Sequence, residues 1–108
     1  MNNVYVTIRG TYSAPENNEV YVNDQLLSPK QSQTLLKNQA GFDWGMAGSP
    51  ATVLALAICL EICKDENVAL GVYGHFKREY VSRWPHGKDF KIGPIKINEF
   101  LARVTREE

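Results

Sequence analysis

Residues 53–60 read Val-Leu-Ala-Leu-Ala-Ile-Cys-Leu, an unbroken apolar run, and no other feature limits the fold of this chain so tightly. Ser49-Pro50 stands just before it as a helix start, with Ser at the N-cap and Pro at the first helical position. A helix from Pro50 to about Lys64 is therefore expected, apolar nearly all round, and such a helix has to be covered on most faces. The apolar run from Val53 to Leu60 is far short of the ~20 residues a membrane-crossing helix needs, so it belongs in a protein core and no membrane partner is expected. The rest of the 108 residues must supply the cover, and that length fits one small domain, 1–108.

The first part of the cover is a sheet. Val4, Val6 and Ile8 alternate with Tyr5, Thr7 and Arg9, the period of a half-buried strand. Gly10 to Asn18 reads as a loop. Glu19-Val20-Tyr21-Val22 is a second strand, and Gln25-Leu26-Leu27 a third short one across an Asn23-Asp24 turn. Strands this close along the chain pair antiparallel most economically. Ser28 to Ala40 is read as loop.

The second part is helical. Asp65 can cap a helix in which Ala69, Val72, Tyr73, Phe76 and Tyr80 form one apolar stripe, and Pro85 ends it near Trp84. Phe90-Lys91-Ile92 is a short strand or an extended linker, broken by Gly93-Pro94. Ile97, Phe100, Leu101 and Val104 give a final helical stripe, fraying into Arg106-Glu107-Glu108. The fold class is α+β: a small antiparallel sheet from an N-terminal hairpin, packed against an αα-hairpin and a short C-terminal helix.

Twelve Lys and Arg balance twelve Asp and Glu. Zero net charge removes the global argument for a dedicated binder of nucleic acid or of anionic membranes, though a local patch remains open. Cys59 and Cys63 lie four apart on one helix face, which suits reduced, buried thiols rather than a disulfide framework. His75 and His86 have no metal-like spacing to them, so neither metal nor cofactor is expected. Met1 to Val6 lacks a basic start followed by an apolar stretch, and a cytoplasmic location is expected.

The most unusual segment is Gly41-Phe42-Asp43-Trp44-Gly45-Met46-Ala47-Gly48-Ser49-Pro50, with three glycines in eight residues. Phe42 and Trp44 are either interface anchors or plugs at the edge of a small core. Asp43 suits a loop-ordering carboxylate, and Met46 with Asp43 is expected to be exposed. Ser49 is an internal cap, or part of an anion site at a helix start; the segment lacks the Gly-x-x-x-x-Gly-Lys pattern of a phosphate loop. Phe42, Asp43, Trp44, Met46 and Ser49 are thus the candidate binding residues. Lys77, Arg78 and Arg83 are a candidate basic patch, equally explained as the solvated face of an amphipathic helix. Ser49 and Ser82 have no nucleophile motif around them, and neither thiol has a polar, His-flanked setting.

Several of these residues carry a resemblance. Gly41-Phe42-Asp43-Trp44-Gly45, Gly48-Ser49-Pro50 with Leu54-Ala55-Leu56-Ala57-Ile58, and Phe76-Lys77 with Trp84-Pro85 resemble a family of short bacterial and bacteriophage proteins catalogued only as a domain of unknown function. The resemblance runs from Val4 to Pro85. It implies an α+β domain of phage and mobile elements and brings no activity or catalytic residue. The leading expectation is a non-catalytic binding module acting on another macromolecule, a protein before others, as an accessory protein or inhibitor of a host system. The alternative is nucleic-acid or nucleotide binding through the basic helix and the glycine segment, and the third reading is a small enzyme.

Overall fold

The computed structural model describes residues 5–105. Val4, read as the start of the first strand, and Arg106-Glu107-Glu108, read as a fraying helix end, lie outside the described residues. Three strands come first: β1 (Tyr5–Thr11), β2 (Glu19–Val22) and β3 (Gln25–Leu26). Three helices follow, α1 (Lys30–Leu36), α2 (Ser49–Cys63) and α3 (Glu66–Glu79), then a single 3-10 turn at Val81–Arg83, β4 (Phe90–Lys96) and α4 (Ile97–Thr105). The architecture is α+β, with an antiparallel sheet in the order β3-β2-β1-β4.

The sheet is not built from the N-terminal half alone. β4 pairs along β1, from Tyr5 opposite Lys96 to Gly10 opposite Phe90. Gly93-Pro94 does not break this strand, because β4 is at the sheet edge and bulges there: Val6 faces Ile95 while Ile8 faces Ile92. An edge bulge is the place where a strand accepts proline and a positive-φ glycine, and Gly93 has φ +122°. Between β2 and β3, Asn23 and Asp24 both take positive φ, the two-residue turn that matches the sheet twist.

Alternation along the strands puts Val6, Ile8 and Gly10 with Val20 and Val22 inside. They join α2 in one core, and α1 and α3 pack on α2 as well. α2 is buried at Ala51 and at every residue from Val53 to Cys59, as an all-round apolar helix requires. Cys59 and Cys63 are free thiols; Cys59 is buried, while Cys63, one turn on, is only half-buried. Burial pushes the Cys59 thiol well up, and burial then Asp65 raise that of Cys63.

Ser49 is not the N-cap of α2. Gly48 holds that position in extended conformation with no side-chain cap, and Ser49 is the exposed first residue of the helix. The Gly48 carbonyl accepts instead from both the backbone N–H and the hydroxyl of Thr52. α1 replaces the loop read over Ser28–Ala40. It has seven residues, and its buried residue is Ser32, whose hydroxyl donates to the Val53 carbonyl at 2.7 Å. A helix that short, with a serine on its inner face, leaves no apolar periodicity to read.

Asp65 caps α3 as expected, accepting from Val68 N–H. The helix stops at Glu79 rather than near Trp84. The chain then tightens into the 3-10 turn, and the Val81 carbonyl takes Gly45 N–H at 2.9 Å. The earlier stop thus gives the glycine segment a docking edge. α4 closes on α3 through Phe100 against Phe76, ring centroids 5.5 Å apart, and through Arg103, which donates to Glu79 at 2.8 Å.

That hydrogen bond to Arg103 holds the Glu79 carboxyl below its ordinary range. A carboxyl lowered in the folded state stabilises above its unfolded pKa and loses that contribution as pH falls through the folded value. Wild type should therefore lose more stability than Glu79→Gln between neutral pH and about pH 3, by under ~1 kcal/mol for so exposed a pair. Parallel urea melts at the two pH values check this; equal losses would remove the bridge from the account.

Candidate functional site

The Gly41–Pro50 segment is an internal brace. Phe42, Asp43 and Trp44 are all buried. Asp43 accepts from Trp44 N–H at 2.8 Å through one oxygen and from Glu16 N–H at 3.3 Å through the other. Its carboxylate thus ties the loop before β2 to the segment before α2, and the exposure expected for it is not found. A buried acid is tolerated because both oxygens accept donors. Trp44 is fully enclosed, and its indole N–H is shared between the carbonyls of Lys88, 2.9 Å, and Pro85, 3.1 Å. Phe90 meets the ring edge-on at 4.7 Å and Tyr12 at 6.2 Å.

Gly41 and Gly45 make this packing possible. A Cβ on Gly41 would strike the Glu16 carbonyl, and one on Gly45 would lie 2.6 Å from the Trp84 carbonyl, at a backbone φ of +76°. Phe42 and Trp44 therefore cannot serve as a contact platform, since both rings face inward. Met46 is half-buried and packs against the core, and Ser49 is exposed but makes no cap.

The basic residues are partly brought together. Arg83 Nε donates to the Arg78 carbonyl at 3.3 Å, and Arg78 Nη2 lies 3.2 Å from His75 Nδ1. Cations at the carbonyl end of α3 satisfy its unpaired acceptors and its dipole, which explains them without a ligand. Lys77, about 100° round the helix from Arg78, is half-buried. Trp84, a stacking candidate beside this patch, is buried and stacked on Phe90, ring centroids 4.0 Å apart. Its indole N–H is the one buried side-chain polar atom without a partner among the described residues.

A different surface is better equipped. No side chain on the outer face of the sheet is buried. Tyr5 and Leu26 stand out at 52% and 59% exposure, while the other exposed large hydrophobics among the described residues, Val68 and Leu70, are on α3 at 38% and 39%. Arg9, Tyr21 and Leu26 form one row across the strands: the Arg9 guanidinium lies 4.0 Å from the centre of the Tyr21 ring, and Arg9 Nε is 3.5 Å from Asp24. The Tyr21 hydroxyl donates to Glu19 at 3.0 Å, and that bond raises the phenol pKa. Beside Arg9 is an open hollow of about 480 Å³, lined by Thr7, Arg9, Asn23, Asp24, Lys91, Gly93 and Pro94.

Alternation in β1 held half the signal for this face: the residues between the core positions are Tyr5, Thr7 and Arg9. The other half was hidden. Lys91 comes opposite Arg9, and Leu26 opposite Tyr21, only through pairings that the order of residues does not reveal.

Among the described residues no group of three or more His, Cys, Asp or Glu could hold a metal ion, and no helix is long and apolar enough to cross a membrane. Neither the curated proteins nor the solved structures offer a match. A family model does: it covers residues 9–103, beginning later than the resemblance at Val4 and running past Pro85 through β4 and into α4. By that match the chain belongs to a family described as a family of unknown function (DUF6166).

Proposed function

We propose that this domain is a non-catalytic binding module that engages another protein through the helix-free face of its sheet. The observation that supports this reading is the composition of that face. Two exposed hydrophobic side chains, Tyr5 on β1 and Leu26 on β3, share the face with a Tyr21 ring on which the Arg9 guanidinium sits, and charges of both signs accompany them. Aromatic and Arg anchors within a polar rim are what protein contacts use. Zero net charge favours a protein over a nucleic acid, whose phosphates reward a clear cationic excess. Free thiols at Cys59 and Cys63 fit the cytoplasm. The role as a phage or mobile-element accessory protein, or an inhibitor of a host system, follows the family resemblance.

Site-specific photocrosslinking tests the surface. A photoreactive phenylalanine analogue at position 5 or 26 should join the chain to one discrete protein, and the same group at Leu70 on α3 should not. Crosslinks that form only from position 70, or that join the chain to nucleic acid, would overturn the reading.

A further inference from the structure

The sheet face carries an arrangement that works against folding. Arg9 and Lys91 are direct cross-strand partners in the β1–β4 register, so two cations stand side by side on one exposed surface. Like charges directly opposite each other destabilise a sheet. Asp24 offsets them only in part, through one 3.5 Å contact to Arg9 from a side chain that is 90% exposed. Lys91 has no ion-pair partner among the described residues.

The two cations also border the hollow. Gly93 lines it too, and a Cβ there would lie 2.6 Å from the Val6 carbonyl, so the bulge needs glycine. Arg9 is already oriented, since the Tyr21 ring holds its guanidinium plane. A guanidinium seated on a ring beside an exposed ammonium suits a planar carboxylate, which can accept from both.

We propose that this hollow is an acidic-side-chain site: the protein partner seats an Asp or Glu carboxylate between Arg9 and Lys91. The inference rests on the sheet-face reading above and names its chemistry. Charge decides between carboxylate and polyphosphate. Arg9 and Lys91 against Asp24 leave one net positive charge at the hollow, enough for a single carboxylate. A nucleic-acid strand would bring successive phosphates past Asp24 and Glu19.

The test is an NMR titration of the full chain with two blocked peptides, one of alternating Glu and Leu and the other with Gln for every Glu, and with a single-stranded DNA 20-mer. The Glu peptide should shift the amides of Arg9, Asp24 and Lys91 and bind about tenfold more tightly than the Gln peptide, one charge-assisted contact's worth. Lys91→Gln should abolish that preference while keeping or raising the melting temperature, because it removes the repulsion; a purely structural Lys91 would lower it. Asp24→Asn should tighten the Glu peptide. Equal binding of both peptides at these amides would overturn the carboxylate site and leave the sheet face standing as a contact surface. Stronger binding of DNA there would overturn both. No shift with either peptide would also overturn the carboxylate site, with the sheet face still to be judged by crosslinking.

Discussion

Trp44→Ala will cost about 3–5 kcal/mol, close to the whole stability of many domains of this size. Three losses combine. The enclosed indole leaves a cavity between β1, β4 and the glycine segment. The carbonyls of Lys88 and Pro85 lose their shared donor. Tyr12 and Phe90 lose their edge-on partner. A drop in melting temperature of about 15–30 °C follows. Trp44→Phe keeps a six-membered ring but loses the donor and part of the buried ring volume, so its cost should be smaller, about 1–3 kcal/mol. Urea melts followed by circular dichroism measure both. If Ala and Phe cost the same, the hydrogen bonds would matter more than the packing, and this account of the segment would be wrong.

Gly10→Ala and Gly71→Ala should move stability in opposite directions. Gly10 sits in β1 under two rings: a Cβ there would strike the Phe90 ring and come within 2.8 Å of Trp44 Cη2. Both rings are fixed by their neighbours and cannot give, so this overpacking should cost about 3 kcal/mol. Gly71 lies on the exposed side of α3, and nothing approaches within 4 Å of a Cβ built on it. There Ala only removes backbone freedom from the unfolded chain and should gain about 0.5–1 kcal/mol. A neutral Gly10→Ala would mean that the rings repack freely, which their burial argues against.

Much of the fold was legible because its strongest signals are local. α2 announces itself as an apolar run after Ser-Pro, α3 as an Asp-capped stripe, and β1 as an alternation. What stayed hidden depends on distant partners. Gly93-Pro94 looks like a break until β1 is laid alongside it and the edge bulge absorbs it. The Ser-Pro start misled by one residue: the chain is already helical at Ser49, so Gly48 holds the N-cap position and Ser49 makes no capping bond. The Gly-Phe-Asp-Trp-Gly segment stands out in the sequence, but its composition could not say which way its rings point, and they point inward. The candidate contact surface was missed for the opposite reason: its residues are ordinary one by one, and only the register of the sheet assembles them.

That register also governs how the protein can be made. β1, the first of the sheet's four strands in chain order, is central in the sheet and gains its second neighbour only when β4 has been made, after α1, α2 and α3. Until then one edge of β1 stays open, an unpaired row of backbone donors and acceptors. The nascent chain therefore exposes that edge while α1, α2 and α3 are made, the stage at which an open strand edge invites misassembly. A chain cut before Phe90 should be recovered in the insoluble fraction rather than as a smaller folded domain.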